Sequence, residues 1–303
     1  MTALRIRDLT VRIPLRDGTV VHAASDVNLA VDAGTVTALV GESGCGKSIL
    51  ATAVMAMLPA GSDVSGSISV RTADRTVDVF EDTGFRGRDV ALIPQSASSY
   101  LTPVRTARSQ LDETVRVLGS RHRSDELART VGLDPADLDL YPHELSGGMA
   151  QRVAIAGALV GDPSVVVADE PTANLDGELT DHILRLLRRC ADEGAAVLLI
   201  THDLSSLMRT AVADRVAVMY ASRIMETGPA ALVLDDPMHD YTRDLVNALP
   251  SRGLHPMPGV PPQLTDLPDD CVYHLRRPES VMSGGRTELV TVGSRTYRTR
   301  VSA

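Results

Sequence analysis

Gly41-Glu42-Ser43-Gly44-Cys45-Gly46-Lys47-Ser48 matches the pattern G-x-x-x-x-G-K-[ST] at every fixed position. Its flanks suit that reading. Thr35 to Val40 is a short, apolar, β-rich run, and Ile49 to Leu58 has the length and composition of a helix. Strand, glycine loop and helix therefore arrive in the order a phosphate site needs. Glycines at 41, 44 and 46 let backbone N–H groups turn inward around phosphates, and the helix N-terminus adds partial positive charge. Lys47 has the reach for the β- and γ-phosphates, and Ser48 brings a hydroxyl for Mg²⁺. The competing reading is a glycine-rich turn that fits by accident, which average residue frequencies place at about 1% of chains this long.

The chain has 303 residues, 44% of them hydrophobic, enough for one large domain with a buried core and a smaller appendage. A formal net charge of -9 argues against nucleic acid as a partner, because phosphate contacts need a positive face. Met1 to Asp8 leads straight into alternating sequence, and no apolar run reaches the roughly 18 residues of a membrane span. A cytosolic chain that meets a membrane only through a partner is expected. Three scattered cysteines, Cys45, Cys190 and Cys271, build neither a disulfide framework nor a closed zinc site and suit a reducing compartment.

Around the loop, Leu4 to Ile13 and Val20 to Val31 alternate apolar and polar residues about a turn at Arg16-Asp17-Gly18-Thr19, which predicts an antiparallel β subdomain. Gly66 to Val70 and Thr76 to Val79 add β sequence. Val90-Ala91-Leu92-Ile93-Pro94-Gln95 reads as a buried strand closed by proline, with a glutamine at its tip. From Ala107 to Val160 the pattern turns helical, with polar breaks at Ser120 to Ser124 and Asp134-Pro135, so an inserted helical subdomain over about residues 96–160 is expected. The α/β rhythm then returns: strand at Val165 to Ala168, helix at Leu179 to Cys190, strand at Ala196 to Ile200, helix at Leu204 to Val212. Such alternation predicts a mainly parallel core sheet covered on both faces.

Two further stretches carry chemistry. Val165 to Ala168 runs into Asp169-Glu170. Beside a phosphate loop, a carboxylate at a strand's end holds Mg²⁺, directly or through water, which suits Asp169. Glu170 is placed to orient or deprotonate an attacking water. Without the loop the pair would be two solvated carboxylates. Upstream, Leu145-Ser146-Gly147-Gly148-Met149-Ala150-Gln151-Arg152 opens a helix with a hydroxyl and two glycines, a second anion-binding device that alone would be an ordinary helix cap.

Together these residues resemble the ATP-binding cassette (ABC) family of phosphate-loop NTPases. The loop, Gln95, the Leu-Ser-Gly-Gly signature, Asp169-Glu170, Asn174-Leu175-Asp176 and His202 within Leu199-Ile200-Thr201-His202-Asp203 occur in the family's order, over about residues 3–250. The resemblance implies a head-to-tail pair of cassettes, in which Ser146, Gly147 and Gly148 of one copy contact the γ-phosphate of ATP held by the Gly41 to Ser48 loop of the other. It also implies that His202 steadies the γ-phosphate and holds the water with Glu170, that Gln95 senses Mg²⁺ and the membrane partner, and that Asp176 communicates across the pair. From the residues alone, His202 would more often be a loop-end histidine.

Ala213 to Gly228, Asp240 to Leu245 and Pro256-Met257-Pro258-Gly259-Val260-Pro261-Pro262 look like the ATPases of dipeptide, oligopeptide and nickel importers. That likeness implies two permease chains, a second ATPase subunit, an external binding protein and a place on the cytoplasmic face of the membrane. Residues 251–303 are expected to form a small extension, entered by an extended, proline-rich connection from Pro256 to Pro268. Relatives often carry a cysteine cluster there. Here Cys271 stands with Arg277 where the next cysteine is expected, so no iron–sulfur centre is predicted. The family stacks adenine on an aromatic residue in the N-terminal hairpin, yet residues 3–34 contain no Phe, Tyr or Trp. Ala150, Asn174 and Gly177-Glu178 also depart from the usual pattern. Two rival functions use the same engine: an exporter, and a soluble cassette acting on DNA or the ribosome, against which the acidic balance and the single cassette argue.

Overall fold

Valine-rich runs build the strands that carry the functional residues, in a computed structural model that describes every residue except 73, 174, 266, 269–271, 278–285 and 301–303. In chain order, β1 (Thr2–Pro14), β2 (Val20–Asp32) and β3 (Val36–Val40) precede α1 (Lys47–Val54). Then come β4 (Asp63–Arg71), β5 (Thr76–Asp78), β6 (Val90–Ile93), α2 (Ala97–Tyr100), α3 (Ala107–Leu118), α4 (Ser124–Thr130) and α5 (Gly147–Leu159). Next are β7 (Val165–Asp169), α6 (Gly177–Asp192), β8 (Ala196–Thr201), α7 (Leu204–Thr210), β9 (Arg215–Tyr220) and β10 (Arg223–Pro229). The described chain ends with α8 (Ala230–Asp235), α9 (Asp240–Asn247), β11 (Thr287–Val292) and β12 (Arg295–Arg300). It divides into two compact units: Met1–Leu4, Val31–Val36 and Ser69–Ile200 form one, and Arg5–Ala30, Thr37–Ile68 and Thr201–Ala303 the other.

In the first unit β6, β7 and β8 run parallel, with Val90 opposite Val165 and Val165 opposite Ala196. Val165, Val166, Val167 and Ala168 expose no surface, as a strand covered on both faces requires. Each buried valine side chain contributes about 1.5–3 kcal/mol. The helices expected between Ala107 and Val160 are present, with α2, α3 and α4 packed on α5. Helix α6 buries Ile183, Leu184, Leu187 and Ala191 at three- and four-residue spacing. Its start is capped by Asp176, whose carboxylate accepts from the Leu179 N–H at 2.8 Å.

In the second unit β3 pairs in parallel with β9, from Thr37 opposite Arg215 to Val40 opposite Val218. Antiparallel pairing continues outward from β9 to β10, β12 and β11. Of the N-terminal strands, β1 lies between β2 and β4; within the first unit, β5 pairs antiparallel with Ser69, Val70 and Arg71 at the end of β4. The fold is thus α/β, with an antiparallel β sheet, parallel β6, β7 and β8 in the first unit and parallel β3 and β9 in the second.

One local expectation is corrected. The helix after the loop spans Lys47–Val54 rather than Ile49 to Leu58. Ala56 turns left-handed at φ 49°, and Ala56 and Met57 donate back to Ala53 and Thr52 at 2.9 and 2.8 Å. This reverse turn satisfies the last carbonyls and stops the helix. The extension, expected only as a small appendage, contains the β11–β12 hairpin, closed at Gly293 with φ 62°.

Candidate nucleotide site

Backbone geometry, more than side chains, shapes the phosphate loop. Gly46 sits at φ 107°, and a Cβ there would lie 2.4 Å from the Ala23 carbonyl oxygen. One at Gly41 would lie 2.1 Å from the Met219 carbonyl oxygen. Neither position admits a side chain without moving backbone. No side chain caps α1 at Gly46, so the helix start presents backbone donors to the loop. Lys47 is buried, and its Nζ donates to the carbonyls of Gly41 and Glu42 at 2.8 and 2.9 Å. The third of the ammonium's donors faces Cys45 Sγ at 3.9 Å, a weak sulfur acceptor that an anion in the cradle would outcompete. Cys45, also buried in the loop, has its thiol pushed above the usual range by burial and stays protonated. Ser48 lies in the first turn of α1, and Ser43 and Gly44 are exposed at the loop's mouth.

The first unit brings the other predicted groups to strand and helix ends. Asp169 closes β7, and Glu170 follows it in the left-handed region at φ 46°. A non-glycine residue there is strained by about 1–2 kcal/mol. The Glu170 N–H is held by the Ile200 carbonyl at 2.9 Å, and Gln95 Nε2 donates to Glu170 Oε2 at 3.3 Å. Two residues 75 positions apart in sequence therefore meet through one hydrogen bond. Ser146 caps α5, its hydroxyl accepting from the Met149 N–H at 3.2 Å. Ser146 and Gly147 are exposed, so this helix end faces solvent. Gly148 packs closely, since a Cβ there would meet Leu179 Cδ2 at 2.3 Å. In the second unit, His202 is exposed just beyond β8, where Asp203 caps α7 by accepting from the Ser206 N–H at 2.9 Å.

The model of the ABC transporter family matches residues 24–173, and the model of the oligopeptide/dipeptide transporter C-terminal region matches residues 225–283. The chain is 36% identical to the dipeptide transport ATP-binding protein of Bacillus subtilis, over 92% of this chain and 88% of that one. It is 37% identical to a D,D-dipeptide transport ATP-binding protein of Escherichia coli, over 90% of this chain and 88% of that one. The chain belongs to the ABC transporter family. A dimeric ATP-binding cassette solved in a post-hydrolysis state with ADP and Pi has the same fold, with TM-score 0.63 and 22% identity over 75% of this chain and 98% of that one. As an ABC transporter protein the chain is an ATPase.

The donors expected to hold Mg²⁺ in this ABC ATPase, the Ser48 hydroxyl, the Gln95 amide and the Asp169 carboxylate, are all hard oxygen groups, which fits that ion. Among the described residues no cluster of three or more His, Cys, Asp or Glu forms a metal cage. Asn174 and Cys271 lie outside the described residues. No helix among the described residues is long and apolar enough to cross a membrane.

Sequence reasoning missed what surrounds the loop of this ABC ATPase. Tyr220, at the end of β9, packs on Tyr241 of α9 at 4.4 Å and edge-on to Tyr273 of the extension at 5.4 Å. Tyr241 Oη accepts from the Glu42 N–H at 3.1 Å, and burial pushes its phenol well above the usual range, so it stays neutral. Arg276, a residue only 7% exposed, makes a two-pronged ion pair with the Glu42 carboxylate through its guanidinium. Burial works against the Arg276 charge; the pairing with Glu42 outweighs it and holds the group above its usual range. With aromatics at only 3% of the chain, three tyrosines within reach of one loop was a signal that pairwise motif reading passes over.

Proposed function

We propose that this ABC ATPase is the ATP-hydrolysing subunit of an importer of small peptides or nickel-type metal complexes. The observation that carries this reading is the match of residues 225–283 to the oligopeptide/dipeptide transporter C-terminal region, with relatives named for dipeptide transport along nine-tenths of the chain. In this reading it sits on the cytoplasmic face of the membrane against two permease chains and pairs with a second ATPase subunit. An external binding protein supplies the cargo indirectly, and nucleic acid has no part.

The residue roles follow from the chemistry of each group. Lys47 and the amides of Gly41 to Ser48 hold the β- and γ-phosphates. Glu170 orients the attacking water and takes its proton, while His202 steadies that water and the γ-phosphate. Gln95, hydrogen-bonded to Glu170, ties the carboxylate's position to its own. Ser146, Gly147 and Gly148 of the paired subunit close on the same γ-phosphate. When Mg²⁺ is bound, by Ser48, Gln95 and Asp169, it neutralises phosphate charge. Catalysis is positioning and charge neutralisation throughout, since phosphoryl transfer asks little covalent chemistry of the protein.

Two measurements test this. Capture of the chain from solubilised membranes should bring two permease chains with it. In that assembly, with the external binding protein added, di- and oligopeptides or nickel complexes should stimulate ATP hydrolysis. Recovery with exporter subunits instead, or stimulation by neither cargo class, overturns the importer reading and leaves the ATPase intact.

A further inference from the structure

The extension after α9 does more than pack beside the phosphate loop; it engages one of the loop's own residues. Each polar group of Glu42 is held. Its carbonyl accepts from Lys47 at 2.9 Å, its N–H donates to Tyr241 at 3.1 Å, and its carboxylate is gripped by Arg276. Arg276 is held in turn: Nε donates to the Pro258 carbonyl, and the guanidinium lies 5.9 Å over the Tyr220 ring. The segment between these anchors walls the loop's mouth. Pro261, Pro262, Gln263 and Leu264 line a cavity of about 180 Å³ together with Glu42 and Ser43. It is tied down where His22 N–H donates to the Leu264 carbonyl at 2.7 Å and Thr265 bridges to Val21.

A carboxylate is an odd tenant for a loop that must receive a polyanion. Left alone, Glu42 would repel a nucleotide's phosphates from within a screening length, and its partial burial would make that charge costlier still. Arg276 removes both problems. We propose that Arg276 is a positioning residue of the nucleotide site: it neutralises Glu42 and fixes the mouth of the phosphate loop, which makes nucleotide affinity depend on the C-terminal extension. This rests on the reading that Gly41 to Ser48 hold the phosphates. The chain Arg276 to Glu42 to Lys47 then runs from the extension to the ammonium that meets them.

The test is calorimetric titration of full-length chain with MgADP, which binds without turnover. Arg276→Met should weaken binding about tenfold or more, the size of a lost charged hydrogen-bond pair. The double variant Glu42→Gln/Arg276→Met, with no charge left unpaired, should recover most of the affinity; it also serves if the single variant does not fold. Arg276→Met binding as the wild type does, or a double variant at least tenfold weaker than wild type, overturns the proposal alone. A wild-type chain that holds no MgADP overturns this proposal and the phosphate-loop reading together.

Discussion

Gln95 Nε2 lies 3.3 Å from Glu170 Oε2, so the tip of β6 and the residue after β7 are joined by a donor that keeps the carboxylate oriented. Glu170 is also strained, at φ 46°, and pinned through its N–H to the Ile200 carbonyl. A strained residue held at both its backbone and its carboxylate suits a group that must aim a water molecule. Glu170→Gln should therefore retain ATP while hydrolysis falls by about 100-fold or more, the scale of a lost general base. Bound nucleotide and phosphate release, measured together, check this; near-normal turnover would remove Glu170 from that role.

Gly46→Ala tests the loop's backbone. The added Cβ would lie 2.4 Å from the Ala23 carbonyl oxygen at φ 107°. Left-handed strain and overpacking together should cost about 2–5 kcal/mol. A lower denaturation midpoint and weak MgADP binding are expected although Lys47 and Ser48 are untouched. Unchanged binding would show that the loop can relax around a methyl group.

His239 makes stability depend on pH. Burial pushes its pKa from 6.5 down to about 4, against a smaller opposing pull from Asp240. Nδ1 accepts from the Tyr241 N–H at 3.0 Å, and Nε2 is buried with no hydrogen-bond partner among the described residues. The folded-state pKa lies below the unfolded one, so the stability gained by keeping the ring neutral is complete above pH 6.5. It is lost as pH falls from 6.5 toward 4, to a total of about 3 kcal/mol. Denaturant unfolding of His239→Asn, which keeps an acceptor for Tyr241 but does not titrate, should show a flatter slope across that window. An unchanged slope would place the acid sensitivity elsewhere.

Asp176 separates a cap from a signal. Asp176→Ala removes the acceptor for the Leu179 N–H and should cost about 1 kcal/mol, while Asp176→Asn keeps an acceptor and should cost only a few tenths. If ATP hydrolysis by the paired subunits falls equally in both variants, Asp176 serves the pair through its charge. A fall in Asp176→Ala alone would make it a helix cap only.

The parts legible in sequence were those that local chemistry dictates. The phosphate loop, the β7 run into Asp169-Glu170 and the serine-led start of α5 are each contiguous, and their backbone needs name the residues: glycine at close approaches, valine in a twice-covered strand, serine at a helix start. Element ends were less legible. Nothing local marks Val54 as the end of α1, because the stop comes from Ala56 taking a left-handed conformation that alanine does not favour. The alternation of Thr287 to Arg300 did carry a hairpin pattern, but a proline-rich lead-in masked it.

What sequence alone determined here is the fold class and the contiguous motifs, the glycine loop and the strand run into Asp169-Glu170, because each follows from neighbours along the chain. What only the tertiary structure decided is which distant groups those motifs meet. Glu42 and Arg276 lie 234 positions apart, and Gln95 and Glu170 75. Pairing between such residues leaves no periodic trace in either segment; it exists only once the sheets fold and burial makes an unpaired charge too costly to keep.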